Sequence, residues 1–258
     1  MGFLQRRVNE ANDPSSCASA PLVTPPAGPL PFLYRDDVLL IVNKPSGLAV
    51  HRGHASDRDT VLTRVRDEVG AYVYLVHRLD RATSGAIALV TKPEYVEPLQ
   101  RAFEHHQVEK RYLALTRGLV PSTLRVDYAI PRAEGSKERI AAITDFRCLD
   151  AFEGRYALVE AVPRTGRYHQ IRRHLAHLRS PIVGDTNYGD RKINKLFRSR
   201  FGLMRLALHA HRLSLPHPVS GQRIEVEAEL ASDLSAPLEA MGLWPAKALL
   251  LAAEIGST

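Results

Sequence analysis

Apolar residues in this chain fall into short runs, and the spacing within each run predicts an element. Leu33 to Val42 reads as a strand that stops at Asn43-Lys44-Pro45-Ser46-Gly47, where Pro and Gly make a turn. Val61, Leu62, Val65 and Val69 recur at helical spacing behind Asp59, a residue able to cap the helix. Tyr72 to Val76 and Ala86 to Val90 read as two strands around the polar stretch His77 to Gly85. Pro93 opens a helix carrying Leu99, Ala102 and Phe103 to His106. Strands follow at Arg111 to Thr116, Ile140 to Leu149 and Tyr156 to Val162, the last two parted by Glu153-Gly154. Thr165-Gly166 opens a helix through Ile171 and Leu175 to Leu178. Residues 187–200 are basic, and irregular or briefly helical. Leu206 to Leu215 and Ile224 to Ala228 close the chain as a strand pair, followed by a helix at Leu234 to Met241.

Strands outnumber helices and neighbouring strands look like hairpins. The expected fold is therefore α+β, with a mixed, mainly antiparallel central sheet and flanking helices; a catalytic cleft in that sheet is added only by the family resemblance described below. Residues 1–31 crowd Pro, Ala and Ser and read as a disordered or extended arm. Residues 32–245 form the folded domain, and 246–258 a peripheral tail. No apolar run approaches the length of a membrane span. Two cysteines, Cys17 and Cys148, exclude a disulfide framework and point to a reducing, cytoplasmic setting.

Charge changes the picture more than composition does. The formal net charge is +7, and residues 164–200 alone carry ten Lys/Arg against two Asp/Glu. The excess therefore lies in one segment, which favours a dedicated polyanion surface. Its candidate contacts to that polyanion, which the resemblance described below makes RNA, are Arg172, Arg173, Arg179, Arg191, Lys192 and Lys195.

The candidate chemistry sits in His77-Arg78-Leu79-Asp80-Arg81-Ala82-Thr83-Ser84-Gly85, a lone carboxylate between two arginines in the turn linking two strands. Arg-x-Asp-Arg alone most often makes a surface salt-bridge turn. Two distant segments add matching chemistry: Tyr112 on a strand and Arg167 after Gly166 at a helix start. A carboxylate that stays ionised away from water needs a cation beside it, and a tyrosine offers a stacking face and an exchangeable proton. Such a trio suits nucleophilic or proton-shuttling work at a nucleoside. Core packing explains a strand tyrosine equally well. His169, His174 and His177 share a predicted helix, which admits a metal-dependent hydrolase as a rival. They lack the Glu and third ligand of a zinc helix, so no metal is expected. No glycine-rich phosphate loop is present, and no cofactor is expected.

These segments together resemble the RluA-type pseudouridine synthases. Val42-Asn43-Lys44-Pro45-Ser46-Gly47 with His51, then His77 to Gly85, Lys110-Arg111-Tyr112-Leu113-Ala114, Thr165 to Arg172, and Leu208-His209-Ala210 with His217-Pro218 match that family's motifs in order, over roughly Leu33 to Leu230. The resemblance implies no metal and no organic cofactor. It implies Asp80 as the catalytic carboxylate, Tyr112 as the active-site tyrosine and Arg167 as the ion-pair partner of Asp80. Arg78 would evict the target base and Leu208 would floor the uracil pocket. Within the family the likeness is greatest to the type acting on uridine 65 of certain tRNAs, from Arg172-Arg173-His174-Leu175, Gly184-Asp185-x-x-Tyr188-Gly189-Asp190 and Gly202-Leu203-x-Arg205-Leu206. That type usually has His at Tyr188 and Arg at Lys195, both expected at the RNA surface. The same reaction on 23S ribosomal RNA, or RNA binding without catalysis, stays open as an alternative. A monomer is expected.

Overall fold

The computed structural model describes residues 23–52 and 58–244; most of the N-terminal arm, Cys17 and the tail lie outside the described residues. Strands β1 (Phe32–Arg35) and β2 (Leu39–Lys44) form a hairpin where the sequence suggested one strand. The break is Asp36: its carboxylate accepts the backbone N–H groups of Val38 and Leu39 at 2.8 and 2.6 Å, an Asx turn inside the apolar run. Helix α1 (Val61–Val69) is capped by Thr60 rather than Asp59, with a reciprocal Thr60–Thr63 box, and ends at Gly70. Asp59 instead holds Arg64.

β3 (Tyr74–Leu75) and β4 (Ser84–Val90) pair antiparallel across the polar turn, and α2 (Val96–Glu104) follows a 3-10 turn at Pro93–Tyr95. Next come β5 (Glu109–Arg117), β6 (Thr123–Asp127), and the short β7 (Ile130–Pro131) and β8 (Arg139–Ile140), which pair with each other. β9 (Ile143–Phe152) and β10 (Tyr156–Pro163) form a long hairpin. Helices α3 (Gln170–His177) and α4 (Arg191–Phe201), strands β11 (Leu208–Pro216) and β12 (Arg223–Glu227), and α5 (Ser232–Ala240) complete the chain. Residues 191–201 are thus a full helix, not an irregular loop. Asp190 caps it through the N–H groups of Lys192 and Ile193, and Gly202 ends it in the left-handed region.

The sheet runs β1-β2-β4-β11-β5-β10-β9-β6, with β12 on β11 and β3 on β4. Among the described residues, every named pair is antiparallel except β4 with β11. Apolar runs in β2 and β4 are buried on both faces. Leu39, Ile41, Ala86, Ala88 and Val90 pack with Leu99 and Ala102 of α2; Leu40, Val42, Ile87 and Leu89 pack with Val61 and Val65 of α1. Phe197 of α4, Ile171 and Leu175 of α3, and Leu234 of α5 belong to the α1 side.

The parallel junction needs glycine at its start. Gly85 has φ +115, and a Cβ there would overlap the Ala210 carbonyl across the pair. Arg205 and His209, both buried, lock the junction. Arg205 donates to Ser84 Oγ at 2.6 Å and the Leu208 carbonyl at 3.0 Å, while His209 Nδ1 lies 2.7 Å from Ser84 Oγ. Among the described residues, no helix is long and apolar enough to cross a membrane.

Candidate active site

The turn carrying Asp80 is braced from below by the turn at the end of β2. Lys44 is fully buried, and its ammonium donates to the carbonyls of Pro45, Leu48 and Arg81 at 2.8–3.0 Å. Ser46 Oγ donates to the Ala82 carbonyl at 2.8 Å, and Gly47 N–H donates to the Arg81 carbonyl at 2.9 Å. Burial and the nearby Arg205 charge pull the Lys44 pKa down to about 7, against the pull of Asp80. The Asn43 to Gly47 motif therefore shapes the turn that carries Asp80, and the Arg81 backbone carbonyl is its anchor point.

Asp80 stands at the wall of a cleft of about 1280 Å³, with its side chain 28% exposed. Arg78, Lys110, Tyr112, Arg167, His169 and Leu208 share the lining. Tyr112 reaches the site from β5, paired with Ala210 of β11 on one side and Ala161 of β10 on the other. Its burial, and then the Asp80 charge, raise the phenol pKa above the ordinary tyrosine value, so the hydroxyl is neutral near pH 7.

The cation beside Asp80 is Arg172, not Arg167. Arg172 Nη1 lies 3.2 Å from Asp80 Oδ2, while its Nε and Nη2 fork onto Asp185 at 2.7 and 2.9 Å. Arg172 is buried in the first turn of α3, so it is not a free contact for RNA phosphate either. Its own burial works against its charge, but hydrogen bonds and charge from Asp185, and then Asp80, overcome that and raise its pKa. Arg167 comes before the helix. It is exposed and donates to the Ala141 carbonyl at 3.3 Å.

The reason for the reassignment is local. Gln170 accepts from Thr165 Oγ1 and Arg167 N–H, and donates to Ile143 and Thr144 of β9. The predicted helix start is thereby held as a turn, and α3 begins only at Gln170, five residues after Thr165. The inward face of the first turn then belongs to Arg172.

Arg173 is likewise drawn inward. It donates to the Tyr188 hydroxyl at 2.8 Å and the Pro131 carbonyl at 2.6 Å. Tyr188, expected at the RNA surface, is half-buried behind His169, whose Nδ1 lies 3.1 Å from its hydroxyl. His169 Nε2 lies 3.5 Å from Asp80 Oδ2, and burial pulls the imidazole pKa down to about 4, leaving the ring neutral near pH 7.

His174 is buried and uses both nitrogens on Thr144 and the Tyr128 carbonyl, while His177 stacks on Tyr128. Both histidines serve packing. Arg179, Arg191, Lys192 and Lys195 remain exposed and lie toward the Arg117 end of β5: Arg117 pairs with the α4 cap Asp190, and Gly118 abuts Arg179 and Ser180. Arg117 lies five positions along the strand from Tyr112, roughly 17 Å at strand rise.

Sequence reasoning missed Lys44, His169, Asp185 and Arg205 as parts of the site. Arg205 carried a faint signal, a lone charge within the apolar run Leu203 to Leu208, as did Asp185 at the end of Pro181 to Gly184.

A sequence profile described as RNA pseudouridylate synthase matches residues 38–177, the span from β2 to the end of α3. The chain belongs to this family. As a member it is an isomerase, an RNA pseudouridine synthase. It is 38% identical over 222 residues to the tRNA pseudouridine synthase C of Vibrio cholerae, covering 78% of this chain and 91% of that protein. It is 41% identical over 223 residues to the Salmonella typhimurium protein of the same name, covering 78% and 85%. The like-named Pectobacterium carotovorum protein is 40% identical over 220 residues, 77% of this chain, but the match spans only 58% of that longer relative. Among solved structures, human RNA pseudouridylate synthase domain containing 1 superposes with a TM-score of 0.71 at 25% identity, covering 91% of this chain and 98% of that one. Domain containing 4 gives 0.69 at 27%, covering 82% and 92%.

Proposed function

We propose that this protein isomerises uridine 65 of tRNA, acting as a cytoplasmic monomer, with Asp80 as the reacting group. The observation that carries the assignment of Asp80 is its setting: one carboxylate oxygen is held by buried Arg172, and the side chain is open to the cleft beside Tyr112. An arginine that never titrates pairs with the carboxylate without offering it an exchangeable proton. The tRNA assignment rests on the relatives named above, and uridine 65 on the motif resemblance.

The reaction breaks the C1′–N1 bond of uridine, turns the uracil in place and forms a C1′–C5 bond. The proton on C5 leaves and N1 gains one, so no atom is lost. The target base stands in a stem and must first be flipped out at a cost of a few kcal/mol. Arg78, exposed on the cleft wall, fills the gap in the stack. The extruded base rests on Leu208, with Tyr112 against its face. Asp80 then attacks the nucleoside or removes its C2′ proton. Once the new bond exists Asp80 is a free carboxylate again and takes the C5 proton, while Tyr112, a neutral phenol against the uracil, aids that transfer by hydrogen bonding. Exposed Arg179, Arg191, Lys192 and Lys195 hold backbone phosphates farther along the tRNA.

The deciding experiment is chemical mapping of pseudouridine in total RNA from a deletion strain, complemented by wild type or by Asp80→Asn. Loss at tRNA position 65, restored only by wild type, is expected. Loss in ribosomal RNA instead would move the substrate, and full restoration by Asp80→Asn would remove Asp80 from the chemistry.

A further inference from the structure

His169 stands out because its backbone and its ring are both held in unusual states. It is the residue before α3, with φ 54 and ψ 27, left-handed values that a β-carbon disfavours and that neither Gly nor Asn is present to ease. Its ring is stacked on Tyr168 at 3.7 Å and edge-on to Tyr188 at 5.7 Å, and the side chain is 10% exposed. Strain of this kind persists where the surroundings over-determine it, and here they fix the ring against the Asp80 carboxylate.

The hydrogen-bond chain behind the ring selects its tautomer. Arg173 Nε can only donate, so at 2.8 Å the Tyr188 oxygen accepts from it. Donated to His169 Nδ1 at 3.1 Å, the Tyr188 hydrogen makes Nδ1 the acceptor. The ring proton then sits on Nε2, which lies 3.5 Å from Asp80 Oδ2. The opposite tautomer would set a lone pair against a carboxylate and leave the Tyr188 hydrogen without this acceptor. Arg172 approaches the same oxygen, Oδ2, at 3.2 Å.

We propose that Arg173, Tyr188 and His169 form a positioning relay that presents an Nε2–H donor to Asp80 Oδ2, so that with Arg172 it pins one carboxylate oxygen and leaves the other turned to the substrate. The relay rests on the reading of Asp80 as the reacting group. In this relay the three residues act through Asp80 rather than on the uridine itself. Its effect falls on the rate of the chemical step, because a misaimed carboxylate lowers the population of reactive geometries while tRNA contacts stay in place.

The test uses the full-length protein labelled with 15N-histidine, His169 being assigned by its absence in His169→Asn. The expected spectrum at pH 7 shows a neutral ring protonated on Nε2, and Tyr188→Phe, which removes only the hydroxyl, shifts the ring toward the Nδ1–H form. With tRNA transcripts, Tyr188→Phe and His169→Asn should each lower kcat about tenfold with KM within twofold. Tyr188→His, which puts back a hydrogen-bonding side chain, should recover part of the loss. A wild-type ring protonated on Nδ1, or a Tyr188→Phe enzyme with unchanged kcat, overturns the relay. So does a loss confined to KM, which would make these residues substrate contacts. Should Tyr188→Phe fail to fold, the wild-type spectrum and the His169→Asn kinetics decide. Loss of the Asp80 assignment would show as an active Asp80→Asn enzyme, whatever the tautomer.

Discussion

Replacing Arg172 by Met tests the buried ion pair behind Asp80 and divides its structural from its chemical contribution. Met nearly matches the length of the arginine stem, so the main loss is the guanidinium. Asp185, whose side chain is fully buried, would forfeit contacts at 2.7 and 2.9 Å and keep the N–H groups of Asn187 and Tyr188 at 2.9 and 3.0 Å. Removing one partner of a buried pair costs about 3–5 kcal/mol. The surviving backbone donors place this case near the lower end, about 3 kcal/mol. For a chain of this size that is a drop in Tm of roughly 6–12 °C. Asp80 adds little to that figure, since a partly exposed carboxylate regains solvation from water.

The assay pairs urea denaturation with single-turnover pseudouridine formation, in Arg172→Met, Asp185→Asn and the double variant. The double variant removes the orphaned charge and should regain most of the lost stability while staying inactive, because Asp80 still lacks its cation. An Arg172→Met protein as stable and as active as wild type would refute the assignment. A double variant no more stable than the single would refute the charge argument. The pH dependence follows the same sign. The Asp185 pKa is lowered in the fold because hydrogen bonds and charge from Arg172, with the two backbone donors, outweigh burial. Its stabilisation is therefore complete above the unfolded value near 4 and is lost as pH falls below it, a loss that should shrink in Arg172→Met.

Three further outcomes follow from the geometry. Arg167→Ala should leave Tm within 1–2 °C of wild type and lower the rate less than Arg172→Ala does, measured in the same single-turnover assay; equal losses would return Arg167 to the side of Asp80. Lys110 is half-buried over the Phe103 ring with no ion pair among the described residues, and burial lowers its pKa to about 8. Its charge is present below that pH and lost above it, so Lys110→Gln should weaken tRNA binding in filter assays at pH 7 and match wild type by pH 9.5. Gly85→Ala should cost more than about 1 kcal/mol in urea melts and abolish turnover, since φ +115 and the Ala210 carbonyl both exclude a side chain.

The period of the apolar pattern determined most of the elements. A strand buried on both faces is apolar at every position, and β2 and β4 are; a helix that covers a sheet shows its stripe, as α1 and α2 do. Turn chemistry is local as well, which is why the Asn43 to Gly47 and His77 to Gly85 loops could be placed from residue types alone. Motif order carried the family and with it Asp80 and Tyr112 as site candidates. Capping by Asp190 and Gly202 was present in the sequence too, but the excess of basic side chains hid a helix whose apolar face is only Ile193, Phe197 and Phe201.

Tertiary structure alone decided which arginine faces Asp80. Arg167 and Arg172 lie five positions apart on one segment, and either satisfies the need for a cation on chemical grounds. The choice depends on where α3 starts, and that is set by Gln170 bonding to β9, a strand more than twenty residues away. Long-range bonding likewise drew Arg173 and Tyr188 from expected surface positions to half-buried ones behind His169, and buried Lys44 beneath the turn that carries Asp80. A linear pattern records which side chains want to be buried, but a buried charge is tolerated only where particular partners converge. Those partners come from segments that meet only in the fold.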